Sequence, residues 1–491
     1  MTEVVTRRGF DPTMSASPAV GSHSLSAAGV VLMTVGAAAW TTAIGALAVW
    51  RHNEFLSHRF DLGNMVQAVW STTQGRPLEM TDGATGEQIV RLAGHVDPIL
   101  VLYAPLWWIY PSPETLIVAQ AAALSAGIYP VVRLSLKYTE SRLAAGLLGA
   151  WYLAIPWTVW LAFNEVNPVS LALPLLLYAI WFLDEHRLGL FALFAALAML
   201  TGELIGLAVA ALGVWYAIRY RRLRAGIGTA VAGMAWTVAC LTLVIPAFND
   251  GRSSPFYDRF ESVGGSPTGL LRTVFTDPGA VAAQVTTSGD LQYVAWLALP
   301  TALLFLGQPL LLIVAVPQLG VNLLSEFSST VSPLYHYSAP VMAALIAASI
   351  MAMGRLPERV RVAAAGAPLV IAVVLLASIP PRPGAEGYLF PALDTPARTA
   401  AMRQAVALVP PTAAVTVTNR LGAHLSARRI VQLFPRQTGA EWAVLDTRDP
   451  SNDAKWIGPV SFRRALERLD RDSRWRLILE SEGVRVYRKR S

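Results

Sequence analysis

The sequence predicts a helical membrane protein of many passes with a small α/β domain at its C-terminal end, on three observations. Of 491 residues, 54% are hydrophobic and only 14% charged, where a soluble globule of ordinary composition carries about 25% charge. Apolar runs recur from residue 27 to residue 380, and a bilayer core of about 30 Å takes roughly 20 such residues per helix. After residue 384 the runs shorten to strand length and charges become frequent. The composition excludes a disordered chain. A single cysteine, Cys240, excludes a framework of internal disulfides.

Eleven runs are predicted as transmembrane helices, at about 27–50, 114–136, 142–162, 168–184, 187–201, 203–220, 226–248, 291–306, 308–324, 335–354 and 362–380. The first is too long for a cleaved signal peptide and further spans follow it, so it reads as a retained helix behind a cytoplasmic tail, residues 1–26. Residues 188–220 could also be one helix interrupted at Thr201-Gly202-Glu203. A hairpin there keeps the RYRRLR run, residues 219–224, on the cytoplasmic side, where Lys and Arg accumulate. With the N-terminus inside, cytoplasmic segments hold 13 basic and 6 acidic residues, and outer segments up to residue 384 hold 8 basic and 15 acidic. The transmembrane region 27–384 then has two long outer loops, 51–113 and 249–290, and an odd number of spans leaves residues 385–491 outside.

That last segment holds 18 basic and 11 acidic residues. AAVTVT (413–418), RIVQLF (429–434), EWAVLD (441–446), WRLILE (475–480) and VRVYR (484–488) have the length and composition of strands. PARTAAMRQAVALV and FRRALERL have the spacing of amphipathic helices. Together they make an extracytoplasmic α/β domain, expected to bind an acceptor glycan or to cover a site.

Ionisable residues at membrane depth are costly and usually functional, and here they gather on the outer side. The first outer loop holds Asp61, Gln67, His95 and Asp97; Asn164 and Glu165 cap the outer end of the third span; Glu203 lies at the fifth-to-sixth turn; Arg259 belongs to the second long loop; His336 and Tyr337 flank the ninth-to-tenth loop. Asp61 opens a short helical segment, either as its N-cap, whose carboxylate accepts backbone N–H bonds, or as a catalytic carboxylate. Glu203 caps the sixth helix or serves the site. Arg259 is a solvated loop arginine or a phosphate clamp, and His336 a satisfied interface histidine or a phosphate donor. Trp107 and Trp108 read as interfacial anchors. His95 and Asp97 suit metal binding or mutual orientation, but two residues do not define a metal site. No phosphate-binding P-loop, dinucleotide fingerprint, HExxH helix or GxSxG elbow is present.

FDLGNMVQAVW, GHVDPILVLYAPLWWIYPSPETLIVAQ and PLLLYAIWFLDEHR followed by TGELIGL resemble, in this order, an uncharacterised family of bacterial and archaeal multi-pass membrane proteins. The resemblance runs from about residue 45 to 490. That family is a domain of unknown function grouped with the GT-C glycosyltransferases, which use lipid-linked sugar donors and carry a catalytic acidic residue in the first outer loop. The resemblance implies a GT-C-like fold and makes Asp61 the leading candidate for that residue. The chain departs from the family pattern where FNEVNP replaces a Phe-His-Pro stretch, and where TGE lacks a preceding lysine.

The expected function is transfer of a sugar from a polyprenyl-phosphate donor to an envelope glycan, lipid or protein acceptor at the outer face. Asp61, Asp97 and Glu203 are the candidate catalytic carboxylates; Gln67, His95, Asn164, Glu165, Arg259, His336 and Tyr337 are the candidate substrate-binding residues. A divalent cation is an open cofactor, and no nucleic-acid partner is expected. A lipid or solute transporter would place polar residues along the whole membrane depth. A non-enzymatic envelope assembly protein would use its outer carboxylates only as helix caps.

Overall fold

The computed structural model describes residues 25–378, 394–448 and 459–490. Most of the expected N-terminal tail, with Arg7 and Arg8, and the expected domain boundary at 384/385 lie outside these residues. Among the described residues, five helices are long and apolar enough to cross a bilayer: Ala27–Asn53, Pro113–Thr139, Leu223–Phe248, His336–Met353 and Glu358–Ser378. The pair Arg142–Ala154 and Pro156–Phe163 makes a sixth if its 47° bend is one span. Pro156, lacking an N–H, sits at that bend. Pro168–Asp184, Leu188–Met199 and Ile205–Tyr220 are shorter apolar helices. Helix length thus establishes several spans, a coarser statement than eleven.

Two expected runs are not continuous helices. Residues 291–306 and 308–324 fold as the end of a helix Ser288–Ala298, three 3-10 turns between Leu299 and Val314, and a helix Val316–Leu324. Pro300 and Pro309 cannot continue an α-helical ladder, and Ala302 and Leu303 adopt left-handed backbone at φ 51° and 57°, which a right-handed helix does not admit.

The helix ends sort to two faces of the bundle. On one, Asn53 donates to Glu114 at 3.4 Å, and the Ile99 N–H donates to the Leu200 carbonyl at 3.1 Å. The break between Leu188–Met199 and Ile205–Tyr220 therefore lies on the face of the first long loop, where the hairpin reading puts it. On the opposite face Lys137 pairs with the buried Asp184 at 2.6 Å, Tyr138 and Tyr220 donate to the same carboxylate, and Arg361 donates to the Thr139 carbonyl at 3.2 Å. A buried carboxylate is tolerated only when paired and hydrogen-bonded in this way. The helix Ala339–Met353 is buried at every position and forms the centre of the bundle.

Strands β1 (Glu79–Thr81) and β2 (Gln88–Val90) form a small hairpin in the first loop. Strands β3 (Val415–Val417), β4 (Val431–Leu433), β5 (Trp442–Asp446), β6 (Trp475–Ser481) and β7 (Val484–Lys489) form one sheet in the order β4-β3-β5-β7-β6. β3 runs parallel to β4 and β5, whereas β7 is antiparallel to β5 and β6. Side chains alternate across a strand, so Trp442 and Val444 join Met402 of the helix Pro396–Ala407 on one face. Ala443 and Leu445 join Phe462 and Leu469 of the helix Pro459–Arg471 on the other. All five expected strands and both helices of this α/β domain are present. Phe55, from the first loop, is buried in its first core, which docks the domain on the same face as that loop.

Candidate active site

The helix Ala27–Asn53 delivers Arg51 to the first-loop face, where its guanidinium donates to the carbonyl and side-chain oxygens of Asn164 at 2.9 and 2.5 Å and lies 5.6 Å over the Phe163 ring. Gln120 fixes the turn that follows: its amide donates to the Leu161 and Glu165 carbonyls and accepts the Asn167 N–H at 2.9 Å. The turn thereby presents Glu165.

Asp61 does not cap a helix. It lies inside a single π-helical turn, Arg59–Gly63, that leads into the helix Asn64–Thr73. The cap comes from Glu165, a residue expected to bind substrate. Its buried carboxylate accepts the backbone N–H groups of His58 and Leu62 at 2.9 and 3.2 Å and pairs with the His58 ring at 3.0 Å. Unpaired N–H groups at a helix start attract a carboxylate. With that role filled, Asp61 keeps a half-buried carboxyl to which no described residue donates a hydrogen bond. Burial pushes it up to about 6 and the Glu165 charge acts the same way, against His58, Arg91 and Arg51.

The other two expected catalytic carboxylates are engaged. Asp97 is buried and takes three hydrogen bonds of 2.6 to 2.9 Å from Arg91, so it is the counter-ion of Arg91 and not a free base. Glu203 accepts the Val96 N–H at 3.0 Å and pairs with His95 at 3.5 Å.

Cations collect beside these pairs. His95 stacks on Phe256 at 4.4 Å, and Arg259 is sandwiched between Phe256 and Phe327, 4.3 and 4.6 Å from their centroids. Arg259 also donates to the Tyr337 hydroxyl at 3.3 Å, and the His336 ring packs on Tyr337. The charges of His95, Arg91 and Arg259 all bear on His336. Asp61, Glu165 and Asn164 thus form one group, and His95, Glu203, Arg259, His336 and Tyr337 a second, with Arg91 within electrostatic reach of both.

Gln67 belongs to neither. Its amide is consumed by Thr81, Arg59 and the carbonyls of Arg428 and Arg429, which removes it from substrate binding. The aromatic stretch also divides: Trp107 is buried in a core while Trp108 and Ile109 are exposed, so only the latter suit interfacial anchoring. Arg51 and Arg91 were missed as site residues in the sequence. Both are cations flanking the first loop's acidic residues, and that proximity was the available signal.

An apolar cavity of about 260 Å³ is lined by Trp40, Ile44, Leu47, Leu153, Val159, Phe163 and Leu376. Among the described residues no group of three or more His, Cys, Asp or Glu is placed to hold a metal.

The family described as predicted membrane protein (DUF2079) matches residues 51–486. No curated protein matches the chain. Among solved structures, ArnT from Cupriavidus metallidurans bound to undecaprenyl phosphate superposes with a TM-score of 0.51 at 14% identity, covering 94% of this chain and 98% of that one. Archaeal oligosaccharyltransferase AglB from Archaeoglobus fulgidus, in complex with an inhibitory peptide and a dolichol-phosphate, gives 0.49 at 11% identity over 92% of this chain and 74% of that one. The Archaeoglobus fulgidus oligosaccharyltransferase in complex with Zn and sulfate gives 0.47 at 12% identity, over 92% and 73%. At 14% identity the likeness to ArnT is one of fold alone.

Proposed function

The chain belongs to the DUF2079 family of predicted membrane proteins, and on that premise we propose that it is a GT-C-type glycosyltransferase moving a sugar from a polyprenyl-phosphate donor to an envelope acceptor at the outer face. In this reading the chain crosses the membrane eleven times with its N-terminus in the cytoplasm. The observation that carries the proposal is the Asp61 carboxyl, which accepts no hydrogen bond from the described residues, stands beside Glu165 and faces the charges of His58, Arg51 and Arg91. A base poised near 6 is ionised at neutral pH yet still accepts a proton readily.

Asp61 takes the proton of the acceptor hydroxyl as that oxygen bonds to the anomeric carbon. The bond from that carbon to the phosphate oxygen breaks, and its electron pair leaves with the lipid phosphate. Arg91 and Arg259 offer positive charge, and His95 and His336 offer ring N–H donors, that stabilise the departing anion. The cavity between Trp40 and Leu376 is apolar and suits an isoprenoid segment.

The test is transfer from a panel of polyprenyl-phosphate sugars by the purified protein in nanodiscs. Asp61→Asn should slow turnover by about 100-fold or more, the scale of a lost general base, while insertion and folding stay normal. Unchanged transfer in that variant would remove Asp61 from the mechanism.

A further inference from the structure

The turn that carries Asp61 is held from two sides. Glu165 caps it from the membrane domain, and the helix Asn419–His424 of the C-terminal domain lies against its opposite side. Asn419 accepts the N–H of Phe60, the residue before Asp61, at 3.2 Å. Contact between helix and turn is closer than most side chains permit. A Cβ on Gly422 would stand 2.8 Å from the Arg59 Cβ, and one on Gly63 would stand 2.6 Å from the Ser426 hydroxyl. Real Cβ atoms essentially never come that close, so glycine at both positions lets the two backbones meet.

Arg59 then ties the turn across the interface. It is fully buried and donates to the Thr81 carbonyl at 2.6 Å, the Val431 carbonyl at 3.1 Å, and the side chains of Gln67 and Asn64. Gln67 makes two further bonds to the C-terminal domain, at Arg428 and Arg429. A guanidinium buried with several fixed acceptors is geometrically demanding, and a rigid supporting shell holds a reacting group in place.

From this we infer that the helix Asn419–His424 is a positioning element for the proposed transfer reaction, and that Asn419 and Gly422 act through the Asp61 turn without touching substrate. The C-terminal domain is then part of the catalytic apparatus, not an appended acceptor-binding module. The inference rests on the glycosyltransferase reading for its kinetic consequence, but its structural half stands without it.

Three variants of the full chain in nanodiscs test it. Asn419→Ala removes the acceptor for the Phe60 N–H, Gly422→Ala pushes a methyl group against Arg59, and Phe462→Ala loosens the domain from its far side, away from the turn. Per folded molecule, the first two should lower kcat about 10-fold or more, leave the donor KM within about two-fold, and displace the acid limb of the pH–rate profile. Phe462→Ala should lower thermal stability and leave kcat and the pH profile unchanged.

Hydrogen–deuterium exchange over residues 55–66 gives a readout that does not need activity. It should rise in Asn419→Ala while exchange in β3, β5 and β7 stays at the wild-type level. Unchanged exchange over 55–66 together with wild-type kinetics, or equal kcat loss in Phe462→Ala, overturns the inference. If the wild-type protein transfers from no donor, the functional proposal fails and exchange alone decides the positioning role: a rise supports it and no rise overturns it.

Discussion

Asp61 and Glu165 divide between them two tasks that one carboxylate could have performed, and the division has a cost in stability. Asp61 is pushed up to about 6 from its ordinary 3.8, first by burial and then by Glu165. Between those values the folded chain holds a proton that the unfolded chain has released, so stability falls as pH rises through that window. Asp61→Asn should therefore raise the melting temperature at pH 7.5, where the wild-type carboxylate is ionised, and change it little at pH 3. A stabilised but inactive variant marks a functional group under strain; a melting temperature lowered equally at both pH values would assign Asp61 an ordinary structural role. The same electrostatics predicts that kcat/KM rises through about pH 6 and that Glu165→Gln moves this limb to lower pH, as a pH–rate profile would show. Both residues were legible in the sequence because acidic residues gathered on one side of the predicted membrane. Their relation was not, since the cap crosses 103 residues from Leu62 to Glu165 and helix capping is read from local neighbours. The same limit hid the partners of Gln67, which lie 361 and 362 residues away.

Among the elements, helices Ile205–Tyr220 and Leu223–Ala239 show how composition can reveal a helix while concealing its packing. Their backbones meet through two glycine pairs, Gly206 with Gly233 and Gly213 with Gly226. A Cβ on Gly213 would stand 2.5 Å from the Gly226 carbonyl oxygen, and one on Gly226 would stand 2.6 Å from that of Gly213. In lipid, where apolar surface gains little from burial against another helix, close packing of small residues supplies the association. Gly213→Ala should therefore destabilise the fold by about 1–3 kcal/mol, the scale of an overpacked core. Gly228 faces open space on the second of these helices, so Gly228→Ala should be neutral or stabilising by up to about 1 kcal/mol. Thermal unfolding in detergent separates the two, and equal effects would refute the packing argument. Hydrophobic runs located these helices to within a few residues. The same criterion failed over 299–314, where Pro300, Pro309 and a left-handed pair at Ala302 and Leu303 break a stretch whose apolarity looks continuous.

For the whole molecule, the two-faced arrangement turns a pattern of charge into a statement about where the chemistry occurs. Residues on the Asp184 face include Lys137, Tyr220 and Arg361, and the turn from Tyr220 to Leu223 brings in the basic run 219–224. Asp61, Glu165 and the C-terminal domain occupy the other face. Charge bias was readable from composition, and the contacts supply what it lacked, the assignment of each turn to a face. Basic residues accumulate on the cytoplasmic side, so the Asp184 face should lie in the cytoplasm and the Asp61 face outside. The chain allows a clean test because its only cysteine, Cys240, is buried. Single cysteines at two exposed positions, Arg224→Cys in the basic run and Glu467→Cys in the C-terminal domain, report the two faces. In intact cells a membrane-impermeant maleimide should label Glu467→Cys and spare Arg224→Cys until the membrane is opened. The reverse pattern would put Asp61 in the cytoplasm, where an outward-facing lipid-linked sugar could not reach it, and transfer at the outer face would have to be abandoned even if Asp61 proved essential.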